Sequence, residues 1–132
     1  MDSTTMLIPD ARLEKITQDG DRFTLSFSLL YLIKIMEGAI DDTLWKQAAD
    51  LVIEGAELDG PLPDCPCTIG GGDLTDNIYT YRDRVPLPIT WRDDVLCKLK
   101  PEDGPVFSIQ GSAMTLNLIE DARYIRHVAK ET

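Results

Sequence analysis

The stretch Arg22-Phe23-Thr24-Leu25-Ser26-Phe27-Ser28-Leu29-Leu30-Tyr31-Leu32-Ile33 constrains the fold most. Phe23, Leu25, Phe27, Leu29, Tyr31 and Ile33 recur at every second position, with Thr24, Ser26 and Ser28 between them. Successive side chains of an extended chain point to opposite faces, so this period builds a strand, whereas a helix needs apolar residues every three or four positions. The run outlasts an ordinary strand of about five or six residues, which predicts a bend or bulge near its middle. Leu30 and Leu32 then make the far half apolar on both faces, and Met36 continues their line. A second apolar stripe must be covered, either by another element of the chain or by a second subunit. Two-fold pairing of identical surfaces is the commonest arrangement among soluble oligomers, so a homodimer with Leu30 and Leu32 in or near its interface is expected.

The same period organises the rest of the chain. Leu13-Glu14-Lys15-Ile16 precedes the turn Gln18-Asp19-Gly20-Asp21, a hairpin signal because Asp-Gly tolerates positive φ. Val95, Cys97 and Leu99 alternate before the turn Pro101-Glu102-Asp103-Gly104, and Val106–Ile109 returns. Gly111-Ser112 reads as a two-residue turn, followed by strands over Met114–Leu118 and Tyr124–Val128. Asn77–Tyr81 is a further strand, and the prolines of Val85-Pro86-Leu87-Pro88 restrict that segment to an edge or a crossover. Turns recur about every 8–12 residues, the spacing of a sandwich or barrel. One segment, residues 43–58, fits two templates. Lys46, Asp50, Glu54 and Glu57 would form the polar stripe of a short helix, while Leu51-Val52-Ile53 has the branching of a strand and Gly55 disfavours helix. The β context favours a strand from near Trp45. The expected fold is one domain over residues 1–132, mainly β, an antiparallel β-sandwich or flattened barrel, with a short helix near residues 43–58 as the alternative for that segment.

Chemistry is sparse. Leu62-Pro63-Asp64-Cys65-Pro66-Cys67-Thr68-Ile69-Gly70-Gly71-Gly72-Asp73 concentrates two cysteines and three glycines. Cys65, Cys67, Cys97 and His127 are the soft ligands on offer, yet structural zinc takes cysteines two to four residues apart, and C-P-C is tighter. The glycines lack the Gly-Lys-Ser/Thr ending of a phosphate loop and the spacing of a dinucleotide loop. The stretch reads as a corner between strands. The single histidine stands without a nucleophile signature, and the paired carboxylates fall in turns, where aspartate bonds its own backbone. No catalytic residue, metal ligand or cofactor is assigned.

Charge narrows the partners. With 13 basic and 23 acidic residues the net charge is -10. Such a field repels nucleic acid and anionic membrane and favours a cationic partner. An odd number of cysteines suits reduced thiols, and the acidic N-terminus has no apolar signal core, so a cytoplasmic protein is expected. The leading expectation is a non-enzymatic interaction protein whose acidic loops meet a basic protein partner, as an immunity or inhibitor protein would. A small-molecule or calcium-binding β module is the alternative, and a hydrolase without a recognisable constellation is the third. Candidate interaction residues are Leu30, Leu32, Trp91, Asp93, Asp94, Asp41 and Asp42. Trp91 qualifies because it adjoins charge at a strand end, although a tryptophan there also caps a core.

Overall fold

The computed structural model describes residues 2–130. They form nine strands: β1 (Ser3–Asp19), β2 (Arg22–Ile35), β3 (Asp41–Glu54), β4 (Glu57–Asp59), β5 (Cys67–Asp76), β6 (Tyr79–Arg82), β7 (Arg84–Pro86), β8 (Thr90–Pro101) and β9 (Phe107–Ala129). All pairings are antiparallel. The order β5-β8-β9-β3-β2-β1 closes on itself when β1 also pairs β5, through Arg12 with Thr68 and Leu13 with Cys67. The result is a flattened barrel, with β6, β7 and β4 attached to β5, β1 and β9. The alternative of a helix near residues 43–58 is corrected: β3 is extended from Asp41 to Glu54. Leu44, Ala49, Leu51 and Ile53 are buried along it, and pairing with β2 and β9 on both sides outweighs its helix propensity.

The bulge expected in β2 lies between Phe27 and Leu30, where the register against β3 shifts. An extra residue turns every later side chain to the other face. Phe23, Leu25 and Phe27 point into the barrel before it, and Leu30 and Leu32 point inward after it, each 1% exposed. The two leucines expected at a subunit interface are therefore core, and the cover comes from the same chain. Leu29 and Tyr31 pass to the outer face, half-buried.

Bulges also govern β1 and β9. β1 loses register with β2 between Leu7 and Arg12, near Asp10 at φ 69°. Its first half pairs β7 and its second half β5, so the irregularity is where it changes neighbour. β9 runs unbroken past the expected turn at Gly111-Ser112. Gly111 pairs Val95, and a Cβ there would stand 2.6 Å from Ile53 Cγ2 and 2.7 Å from the Glu54 carbonyl oxygen, so glycine serves close approach rather than a turn. The corner expected at Gly70–Gly72 is likewise corrected, because all three lie within β5. A bulge separates Ile69 from Gly71, and a Cβ on Gly72 would meet the Lys98 carbonyl oxygen at 2.5 Å and Leu99 Cδ2 at 2.8 Å. Removing the side chains lets β5 bend tightly over β8 on its way to β1.

One core fills the ring, with Leu13, Leu25, Leu51, Ile53, Ile69, Cys97, Phe107 and Ile109 among its members. A gap of about 10 Å3 lies among the buried side chains Met6, Phe27, Leu30, Leu74 and Leu99, which pack together in the barrel interior.

Two outcomes follow from this packing. Gly72→Ala is expected to cost about 2–3 kcal/mol, since its Cβ meets backbone, whereas Gly104→Ala, 3.5 Å from Pro101, should stay within about 0.5 kcal/mol; urea unfolding of both variants checks this. Burial pushes the Cys97 thiol up to about 12. Below the unfolded value of 9.0 both states keep the proton; above it the unfolded chain ionises first, and stability falls until the folded thiol ionises near 12. Over that window the wild type should lose about 1.4 kcal/mol per pH unit more than Cys97→Ala in denaturant titrations, because the alanine variant lacks this proton.

Candidate functional site

Past the ring, β1, β2, β3 and β9 continue as a sheet edged by β7. One cross-strand row there reads Val85–Met6–Leu32–Trp45–Tyr124. Its burial falls steadily: Val85, Met6 and Leu32 are core, Trp45 is half-buried, and Tyr124 is 49% exposed. The row marks where the barrel interior opens to solvent. A groove of about 550 Å3 lies on it, with Leu32 and Ile89 as floor, Trp45, Leu87 and Leu116 as walls, and Met36 and Leu118 on the rim.

The groove is built rigidly on both sides. Leu87 N–H donates to the Thr4 carbonyl at 2.9 Å and Leu116 N–H to the Ile89 carbonyl at 3.0 Å, which pins the segment after β7 along one wall. On the other wall Trp45 Nε1 donates to Thr43 Oγ1 at 2.8 Å, Lys34 Nζ stands 4.1 Å over the indole, and Tyr124 meets it edge-on at 5.5 Å. An ammonium over an aromatic face and an edge-on ring pair each favour one orientation of the indole, so this wall is preformed. Met36 is 52% and Leu118 46% exposed, large apolar surface left at the rim.

A second concavity of about 620 Å3 lies across Leu7, Tyr31, Leu44 and Ile125. Lys46, Arg84 and Arg126 border it, but so do Asp10 and Asp83, which offset most of that charge. Asp83 has a structural task. At φ 63° it accepts from Gly72 N–H at 3.0 Å through Oδ1, donates its own N–H to the Gly72 carbonyl at 2.9 Å, and accepts Ile8 N–H at 2.8 Å on its carbonyl. It knots β5 to β1.

The sequence-predicted residues are scattered. Leu30 lies inside the barrel, and Leu32 reaches the groove only as its floor. Trp91 stacks on Tyr81, centroids 5.7 Å apart, and packs against the core. Asp93 and Asp94 are in no turn; they form a bulge inside β8 between Arg92 and Val95, with Asp93 at φ 77°. Asp94 accepts Asn77 N–H on its carbonyl at 2.7 Å. Asp41 and Asp42 open β3, where Asp42, 8% exposed, pairs Lys130 at 2.6 Å and ties the end of β9 to β3. Four of the five non-glycine residues with positive φ are acids, Asp10, Asp83, Asp93 and Glu120, so these four sit at irregular points of the strands, the left-handed region suiting aspartate.

Among the described residues no three His, Cys, Asp or Glu side chains form a cluster able to hold a metal ion. Cys65 lies in the loop beside the β8–β9 turn and Cys67 opens β5; burial, foremost, raises both thiols above the ordinary range, so they are protonated at neutral pH. His127 packs edge-on against Tyr124 at 5.7 Å on the exposed end of β9. The residues missed in the sequence are Lys34, Leu87, Leu116 and Leu118. The run Leu116-Asn117-Leu118-Ile119 was the signal for Leu116 and Leu118 alone, and it does not reveal which strand ends leave it uncovered.

Substitutions separate rim from floor. Leu118→Asp should change stability by less than about 1 kcal/mol because the side chain is half exposed, whereas Leu32→Asp buries an unpaired charge and should prevent folding. Thermal unfolding followed by circular dichroism distinguishes them.

No protein-family model, curated protein or solved structure matches the chain.

Proposed function

We propose that the chain is a non-enzymatic binding module that seats an apolar side chain of a basic protein partner in the groove walled by Trp45, Leu87 and Leu116. The observation that carries this reading is the preformed aromatic wall beside exposed apolar rim residues. Apolar anchors dominate binding when they enter a ready-made pocket, because little ordering entropy is then lost. The net charge of -10 supports a cationic partner, drawn in over long range and held by the groove at short range. An immunity- or inhibitor-like role is the concrete version. A cytosolic setting belongs to the proposal and is supported by three free thiols; no helix among the described residues is long and apolar enough to cross a membrane.

The groove volume of about 550 Å3 favours a second reading, since small-molecule sites span roughly 300–1,000 Å3. An apolar small molecule would occupy the same walls.

Selection from a random peptide display library decides between these. The proposal expects enriched peptides with one aromatic or branched apolar residue flanked by Lys or Arg, binding at least tenfold more weakly to Leu118→Asp and Trp45→Ala and more weakly as salt rises. Enrichment indifferent to both substitutions, or none at all, rejects it. An uncharged apolar dye that binds the wild type, is lost in Leu118→Asp and ignores salt would favour the second reading.

A further inference from the structure

Sheet edges expose unpaired N–H and C=O groups and are usually blunted by shortness, proline or covering. Three strands here obey that rule: β4 spans Glu57–Asp59, β6 spans Tyr79–Arg82, and β7 spans Arg84–Pro86 with a proline at its end. β9 does not. Its pairing with β8 ends at Thr90 with Thr115, yet it continues to Ala129 against β3 alone. Among the described residues no strand pairs its other side from Asn117 onward. This edge carries no proline, and Leu118, Ile119 and Tyr124 are exposed along it.

Its charges are ordered. Glu120 and Asp121 come first, then Arg123, Arg126 and His127. No ion pair engages the two acids or the two arginines among the described residues. We propose that this edge binds a second copy of the chain, the two β9 strands pairing antiparallel about a two-fold axis between Ala122 and Tyr124. An antiparallel two-fold reverses the charge order of one strand against the other. With the axis there, the acids Glu120 and Asp121 at the bulge of one strand lie toward Arg123 and Arg126 of the other, twice by symmetry. A parallel in-register pair would set acid against acid and arginine against arginine, so the edge selects its own antiparallel copy. The seam replaces the one expected at Leu30 and Leu32, and it adjoins the groove, since Leu118 stands on the rim and Tyr124 braces Trp45.

Charge exchange tests it, with circular dichroism first confirming that each variant folds. Sedimentation equilibrium of the wild type should give twice the 14.7 kDa chain mass. The double variant Glu120→Lys with Asp121→Lys, and the double variant Arg123→Glu with Arg126→Glu, should each dissociate at least tenfold more readily. Mixed together they should form a heterodimer containing one of each. A wild type that stays monomeric at high micromolar concentration overturns the proposal. So does a dimer that survives both reversals, or a mixture that remains monomeric.

Discussion

The fold depends on a short seam. Ring closure rests on two residue pairs, Arg12 with Thr68 and Leu13 with Cys67, reinforced by Arg12 donating to Thr68 Oγ1 at 3.2 Å. Everything buried in the barrel needs that seam, because an open sheet would expose the inner faces of β5 and β1 together. The seam in turn needs β5 to change direction between β8 and β1, and the glycines there leave room for the neighbouring backbone. Asp83 completes the arrangement by binding both the amide and the carbonyl of Gly72 while holding Ile8. A short ladder is adequate because the apolar core on its inner side supplies most of the free energy, and the hydrogen bonds mainly set register.

Bulges are the second organising device. An uninterrupted barrel would end where its strands end. Here the bulge in β2 keeps Leu30 and Leu32 pointing inward as the strand bends, and the irregularity near Asp10 lets β1 exchange β5 for β7. The strands consequently outrun the ring as a sheet that buries Met6, Leu32, Ile33 and Leu44 yet leaves a concavity on each face. The groove and the second concavity are the two faces of that overhang, which explains why both occur at the same end. It also explains why Leu29 to Ile33 is apolar throughout: one half of the set lines the barrel, and the other lies on the outer face of the overhang.

Electrostatics plays a divided part. Exposed ion pairs such as Arg22 with Glu54 contribute about 0–1 kcal/mol and decide little. The acids at positive φ have a conformational task, since a side chain that can bond nearby backbone tolerates the left-handed region better than a branched apolar one. The rest of the net charge of -10 sets up a field that repels anions and attracts cations over long range.

The period of two in the sequence determined the secondary structure, because burial on one face admits only one spacing of apolar residues; β2, β8, the turn after Pro101 and the edge position of Val85-Pro86 were all legible on that ground. A bulge was legible in β2 from length alone, but its consequence was not. Whether Leu30 and Leu32 meet a second subunit or the core depends on which strand closes over them, and that is a non-local pairing no local pattern encodes. The glycines of β5 show the same limit. Three in a row signal freedom of the backbone, and only the approach of Lys98 and Leu99 reveals that the freedom serves close packing within a strand rather than a corner. The groove was invisible for a related reason: Leu32, Trp45, Leu87 and Leu118 become neighbours through register across strands distant in sequence. The sequence determined that there would be strands and an acidic surface, and the tertiary structure decided which apolar side chains would be left without cover.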